Sequence, residues 1–208
     1  MKKIISILLI LCLLFVLGAC NSTPTDTEKT TIANPDVQPV DIADVPLSRY
    51  LDNCAYFGRC NWNDFTLDEQ RAISQKARDA QVTLNIDEAG VITLVDPSGI
   101  VVEYGGVWPT DNALIKDFPV PSNKVAYVYE QAGVICYVAV YMSMDEAKDY
   151  AKNFAALGYD KGVTEAENEK TYYYDAENAA SGTADAKMAL VVYEAGITLI
   201  GIMPVESV

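Results

Sequence analysis

Short strand-like runs separated by turn residues constrain the fold of this chain most. Each run holds five to nine residues rich in valine, isoleucine, leucine, threonine or tyrosine, and glycine or aspartate stands in most of the gaps. Runs of this length joined by tight turns are typical of antiparallel sheets. The runs are 82–86, 91–95, 100–104, 125–129, 134–141, 171–175, 186–194 and 197–202. The first three predict a meander, and the other five predict a second, larger sheet.

Two capping boxes predict where helices begin. Thr66 is followed three residues later by Glu69, and Ser143 is followed in the same way by Glu146. In each pair the hydroxyl and the carboxylate satisfy backbone amides that the first helical turn leaves without partners. We expect one helix to run to about residue 80. The other has apolar positions at helical spacing up to Leu157 and is expected to end at Gly158.

The order of these elements predicts an α+β fold. The segment 107–208 has the order ββαβββ, which predicts an antiparallel sheet with one helix packed on one face. A small helix and a three-stranded meander precede it within 46–106. Gly105 and Gly106 interrupt the strand pattern and mark the expected boundary between the two parts.

The first 20 residues have the layout of a secretory signal. Lys2 and Lys3 precede an uncharged apolar run at 4–16, which is shorter than the roughly 20 residues of a membrane-spanning helix. A transmembrane anchor is the less favoured alternative. The motif Leu-Gly-Ala-Cys at 17–20 resembles the lipobox of bacterial lipoproteins. The resemblance implies removal of residues 1–19, diacylation of Cys20, and attachment to the extracytoplasmic side of the cell membrane.

Composition predicts a tether and excludes one class of partner. The segment 20–45 begins with Cys20, is rich in Thr, Pro, Asp and Asn, and lacks apolar periodicity, which is typical of a disordered linker. Removal of Lys2 and Lys3 with the signal lowers the formal charge from −14 to −16. Phosphate backbones repel such a surface, so we expect no nucleic-acid partner.

The C-terminal part carries a second resemblance. It contains a Trp108-Pro109 pair, a proline-bearing loop, a hairpin, and a helix that ends in Leu-Gly-Tyr at 157–159. In these features it resembles a domain of unknown function found in lipoproteins of clostridia and related Firmicutes, over about 107–205. The resemblance implies a location and a fold but no catalytic residues.

The sequence contains no recognisable catalytic centre. Because the chain has no histidine, Ser-His and Cys-His nucleophile pairs and histidine-bearing zinc sites are excluded. No phosphate-binding loop or EF-hand pattern occurs either. We therefore expect no catalytic residue, cofactor or metal, and a non-enzymatic protein. Two readings remain open. One is a pair of carboxylates that hydrolyses cell-wall polymer. The other is a calcium site among the acidic residues of 160–169, although a solvated acidic loop is the simpler interpretation of that segment.

Three cysteines remain after the signal and Cys20 are set aside. Cys54 and Cys60 flank a short aromatic loop, and an oxidising compartment would permit a structural disulfide between them. Free thiols in a reducing habitat are the alternative. Cys136 lies among apolar residues of a predicted strand, where we expect a buried thiol.

Strand alternation predicts a tyrosine-rich surface. If Gly133 occupies the left-handed position of a three-residue loop, Tyr127 pairs with Tyr137, and one hairpin face carries Tyr127, Tyr129, Tyr137 and Tyr141. Tyrosine combines a flat apolar ring with a hydroxyl, which suits recognition of glycans or peptides. The alternative is that the N-terminal meander packs on these rings and buries them.

These observations favour a binding module outside the cell. Its expected partner is an extracellular glycan, peptide or protein, in addition to the membrane that holds the lipid anchor. The alternatives are the carboxylate-based hydrolase described above and a structural subunit of an assembly.

Overall fold

The computed structural model describes residues 37–179 and 186–205. The predicted signal segment, Cys20 and most of the predicted tether lie outside these residues. The helices are α1 (Leu47–Tyr56), a short 3₁₀ helix (Trp62–Asp64), α2 (Leu67–Asp79), α3 (Met144–Ala151) and α4 (Asn153–Ala156). The strands are β1 (Thr83–Ile86), β2 (Ile92–Val95), β3 (Ile100–Tyr104), β4 (Val125–Gln131), β5 (Ile135–Tyr141), β6 (Lys161–Glu167), β7 (Thr171–Glu177), β8 (Lys187–Glu194) and β9 (Ile197–Pro204). None of the described helices is long and apolar enough to span a membrane.

The nine strands of the described residues belong to one sheet in the order β1-β2-β3-β4-β5-β9-β8-β7-β6, and every neighbouring pair is antiparallel. Strand β3 pairs with β4, from Ile100 opposite Gln131 to Tyr104 opposite Tyr127. The sheet is therefore continuous across Gly105 and Gly106, where the sequence predicted a boundary. The α+β class is confirmed.

Two hydrophobic cores lie on opposite faces of this sheet. Successive residues of β5 alternate between them: Val138 and Val140 belong to a core that includes α3 and α4, whereas Ala139 belongs to a core that includes α1 and α2. Side chains of a strand point alternately to the two faces, which separates the cores. The prediction of one helix on one face was therefore too simple, because helices pack on both.

Helix α1 was not predicted. Leu47, Leu51, Cys54 and Ala55 recur at helical spacing and are buried, so the pattern that identifies it was present. The helix ends at Tyr56, and two residues later Gly58 has a φ of 74°, in the left-handed region that favours glycine. Its amide donates to Ala55 O at 2.8 Å. The predicted aromatic loop around Cys54 is thus largely the last turn of a helix.

The capping boxes are confirmed at both predicted positions. Thr66 Oγ1 accepts from the amide of Glu69, and Ser143 Oγ accepts from the amide of Glu146, while each glutamate accepts from the capping residue's own amide. The second helix is interrupted at Lys152, however, and α4 follows it. At this break Asn153 Nδ2 donates to the carbonyl oxygen of Tyr150 at 2.8 Å.

Strand β6 corrects the interpretation of 160–169 as an acidic loop. All seven of its residues are exposed, and it pairs with β7 along one edge of the sheet. Glu165 accepts from the hydroxyl of Tyr172 at 3.0 Å, and Glu167 forms an ion pair with Lys148. Backbone pairing and these contacts hold the strand in place. Because its side chains form no apolar pattern, this strand could not be predicted from the sequence.

Candidate ligand face

The face of the sheet that carries Tyr127, Tyr129, Tyr137 and Tyr141, called here the tyrosine face, is arranged differently from the prediction. Gly133 does have a left-handed φ of 70°. The loop, however, comprises Ala132–Val134, because Gln131 pairs with Ile135. Tyr129, rather than Tyr127, is therefore opposite Tyr137. A register shift of two residues keeps the same side chains on each face, so the four tyrosines still share one face.

A β-bulge changes the orientation of two side chains at the start of β4. Val125 pairs with Val140 and Tyr127 with Ala139, which leaves Ala126 as an extra residue in β4. Val125 consequently belongs to the core under α3, and Ala126 to the core under α1 and α2. Both positions are the reverse of what strict alternation from Tyr127 would give. One inserted residue inverts the alternation on one side of a bulge.

Helices α1 and α2 cover one part of the tyrosine face. Tyr127 and Tyr141 pack against the core that these helices form, and Tyr141 Oη donates to Ala55 O at 2.6 Å. Burial raises the pKa of both phenols well above its ordinary value. These two rings are thus covered in part, and their side chains are half-buried. The covering elements are helices, whereas the meander extends the sheet edge to edge.

Tyr129 and Tyr137 lie outside this covered part. Neither belongs to the core under α1 and α2. Both side chains are half-buried, as those of Tyr127 and Tyr141 are, and burial raises the pKa of Tyr129 and raises that of Tyr137 to about 12. Their ring centroids are 5.7 Å apart, with an interplanar angle of 39°. Tyr137 Oη lies 3.6 Å from the sulfur of Met203. The pair leaves two adjacent aromatic rings at the solvent boundary of the sheet.

A glycine lets the ring of Tyr137 lie along the sheet. Gly201 is opposite Tyr137 on β9, and a Cβ atom there would collide with that ring and would stand 2.5 Å from the carbonyl oxygen of Cys136. On β7, Tyr173 points to the same face, because Tyr172 and Tyr174 belong to the opposite core. Tyr173 therefore adds one ring to the tyrosine face.

Two partly buried carboxylates, Asp52 on α1 and Glu194 on β8, were not predicted from the sequence. Tyr104 Oη donates to Asp52 Oδ1 at 2.8 Å. Burial raises the pKa of Asp52 to about 6, and it also raises the pKa of Glu194 on β8. Both carboxylates influence Tyr56, whose pKa is raised first by burial and then by Glu194 and Asp52. A helix at 47–56 would have placed Asp52 and Tyr56 on one helical face.

The predicted disulfide is not present in the structure, where Cys54, Cys60 and Cys136 are free and buried. Cys54 lies within α1 and is hydrogen-bonded to Tyr50, whereas the sulfur of Cys60 lies 4.0 Å from Tyr141 Oη. The two thiols thus have separate partners. The expectation of a buried thiol at Cys136 is confirmed, and burial raises its pKa to about 12.

In the part of the chain that the structure describes, no group of three or more acidic or cysteine side chains is arranged to hold a metal ion. The chain matches no protein-family model, no curated protein and no solved structure. Its function is therefore argued from its own residues.

Proposed function

We propose that this chain is a lipid-anchored, extracytoplasmic binding module whose ligand lies on the uncovered part of the tyrosine face. The half-exposed, adjacent rings of Tyr129 and Tyr137 carry the proposal. Rigid aromatic rings on a sheet provide contact area at a low cost in conformational entropy. A glycan or peptide segment is the class of ligand that such rings fit, since each offers apolar surface together with hydrogen-bonding groups.

The lipid anchor is the other half of the proposal. It is supported by the signal-like first 19 residues and by Cys20 in the lipobox-like motif. The acidic composition supports it indirectly, because a chain of formal charge −14 gains little from anionic lipid head groups and needs an anchor of another kind. In this arrangement the segment after Cys20 separates the sheet from the membrane surface.

The hydrolase alternative receives no support from Asp52 on α1 and Glu194 on β8. A glycosidase places its two carboxyl groups roughly 5–10 Å apart, a separation at which each shifts the pKa of the other. Burial raises the pKa of Asp52 and the hydrogen bond from Tyr104 lowers it, whereas the pKa of Glu194 is raised by burial alone. Neither carboxylate is among the causes of the other's shift. We therefore do not assign a reaction to them.

Cross-linking on intact cells tests the binding proposal. We expect a cross-linked partner or glycan for the unaltered chain and its loss in the Tyr129→Ala/Tyr137→Ala variant. Leu67→Ala is the matched control, because Leu67 is an apolar residue with 69% exposure on α2. Equal capture by the double variant would place the site elsewhere. Absence of any partner for the unaltered chain would favour the structural subunit instead.

A further inference from the structure

Among the described strands, β1 and β6 form the two edges of the sheet. The backbone of an edge strand presents amide and carbonyl groups that have no partner within the sheet, and a further strand can pair with them. Proteins commonly prevent such pairing with charged side chains, prolines or β-bulges on the edge strand. The two edges of this sheet differ in that respect.

Strand β6 is protected by a bulge and by charge. Its register against β7 is shifted by a bulge near its start, which distorts the backbone that a partner strand would need. The amide of Asn168 donates to Thr171 O at 3.0 Å. Because hydrogen-bonded pairs alternate along an antiparallel ladder, Glu165 and Glu167 carry outward backbone groups. A second copy that paired through these groups would place glutamate opposite glutamate, which is unfavourable.

Strand β1 has none of these protections. Its register with β2 is regular from end to end, and residues 82–86 contain neither a charged residue nor a proline. The neighbouring helix α2 contains three acidic and three basic residues, so this region lacks the excess of negative charge that gives the whole chain a formal charge of −14. Net charge opposes association of two copies over most of their surfaces. The β1 edge is where that repulsion is weakest.

The hydrogen bonds of β1 identify its free backbone groups. The amide of Asp87 donates to Val91 O at 3.2 Å, so hydrogen-bonded pairs with β2 fall on alternate residues counted back from Asp87. Leu84 and Ile86 lie between these pairs, and their amide and carbonyl groups therefore point away from β2. No described residue forms a hydrogen bond with these groups.

One register satisfies all of these groups with a second copy of the chain. In antiparallel pairing centred on Asn85, Leu84 lies opposite Ile86 of the second copy and exchanges both backbone bonds with it, and the twofold axis repeats this pair. Val82 takes no part, because its amide donates to Ala77 O at 2.9 Å. Leu84 and Ile86 are half-buried at the margin of the core under α1 and α2, so the pairing also joins apolar side chains of the two copies.

We propose that β1 is a dimerisation edge, at which two copies of this chain pair antiparallel about Asn85. The pairing doubles the sheet. It leaves the uncovered part of the tyrosine face free, since Tyr129 and Tyr137 lie on β4 and β5, away from this edge. The inference goes beyond the proposed function and does not depend on it.

Disulfide trapping in the full chain on intact cells tests the register. Asn85 is exposed and lies opposite its own copy in a non-hydrogen-bonded pair, at a Cα separation of about 4.5 Å, which a disulfide can span. Asn85→Cys should therefore give a reducible dimer after mild oxidation. Thr83→Cys is the matched control, because Thr83 is also exposed on β1 but lies about 13 Å from its own copy in this register.

Two further controls measure chance collisions. Ala166→Cys places a thiol on the exposed β6 edge, and the unaltered chain gives the background from its own cysteines. We expect about fivefold more dimer from Asn85→Cys than from any of the three controls, because only this thiol meets its copy at bonding distance.

Sedimentation of the full chain in detergent is the second measurement. Asn85→Lys places two like charges opposite each other at the twofold axis and should raise the dissociation constant of the dimer about fivefold. Thr83→Lys adds the same charge opposite Asp87 of the second copy and should not raise it. Both variants change the net charge equally, so a difference between them reports the register.

The inference is wrong if Asn85→Cys gives no dimer above the background of the unaltered chain, or if Thr83→Cys or Ala166→Cys gives as much. An adduct of Asn85→Cys with a different protein would also overturn it, because that protein would then cover the edge. Equal dissociation constants for Asn85→Lys and Thr83→Lys would contradict the register. The Tyr129→Ala/Tyr137→Ala variant should keep the dimer, so failure of this inference and failure of the proposed function are distinguishable.

Discussion

Replacement of Asp52 by asparagine should stabilise the protein at neutral pH. Burial raises the pKa of this carboxyl group from 3.8 to about 6 in the folded state. The folded protein therefore binds the proton more tightly than the unfolded chain does. It follows that the contribution of Asp52 to stability is present below about pH 4 and is lost as the pH rises through 6. Asparagine cannot ionise, so the variant does not lose this contribution to stability as the pH rises.

The magnitude follows from the size of the shift. A change of about two pKa units corresponds to about 3 kcal/mol in the free energy of unfolding. Asp52 is only partly buried, and solvent screening reduces this value. We expect Asp52→Asn to raise the free energy of unfolding by about 1–3 kcal/mol at pH 7.5. At about pH 4 the two proteins should have nearly equal stability.

Urea unfolding followed by tryptophan fluorescence measures this difference at several pH values. Glu194 and Glu103 also have pKa values raised by burial, so the unaltered protein has further pH dependence of the same sign. The difference between protein and variant isolates Asp52. Asp145→Asn serves as the control and should shift stability by less than about 0.5 kcal/mol. A variant less stable than the unaltered protein at pH 7.5 would refute the reasoning, because the charged carboxylate would then be favourable where it lies.

Three other predictions concern the anchor, the thiols and the sheet. In cell fractionation, Cys20→Ala should leave the membrane fraction after a high-salt wash, and retention would contradict the lipid anchor. Thiol labelling of the denatured, unreduced mature chain should count three free cysteines, as the structure has them, whereas a count of one would support a bridge between Cys54 and Cys60. Gly201→Ala should lower the free energy of unfolding by about 1–3 kcal/mol, because its Cβ meets backbone and a tyrosine ring. Gly106→Ala, which meets only a flexible glutamate side chain, should cost less, and an equal cost for both would contradict the account.

The elements that were predicted well are those fixed by local chemistry. The capping boxes at Thr66 and Ser143 determine helix starts through hydrogen bonds within four residues. The Ala195-Gly196 turn, with φ of 56° and 85°, joins β8 to β9 in the gap between the predicted runs 186–194 and 197–202. Gly158, with φ of 88°, likewise follows α4 where the helix was predicted to stop. Such signals need no information from distant parts of the chain.

What the sequence did not reveal depends on distant contacts. Pairing of β3 with β4 joins the two predicted parts into one sheet, and nothing local at Gly105 indicates it. The bulge at Ala126 inverts two side chains, although both alternatives leave an apolar residue on each face. The buried carboxylate of Asp52 could not be anticipated, because its environment comes from tyrosines about 50 and 75 residues away along the chain.

The four predicted face residues illustrate both cases. Alternation alone placed them together, and the structure keeps them on one face. Which of them stay accessible depends on where α1 packs, and α1 covers Tyr127 and Tyr141 but not Tyr129 and Tyr137. Tertiary packing decides the position of a covering helix, and the periodicity of a strand carries no information about that position.

The claim that a ligand contacts the uncovered part of the tyrosine face is tested most directly by photo-cross-linking. Tyr129 is replaced by a photoreactive phenylalanine derivative in the lipidated chain on intact cells, and Asp145, on the exposed start of α3 at the opposite face, is replaced in a matched experiment. We predict a light-dependent adduct from position 129 and none from position 145. No adduct at 129, or equal adducts at both positions, would contradict the account.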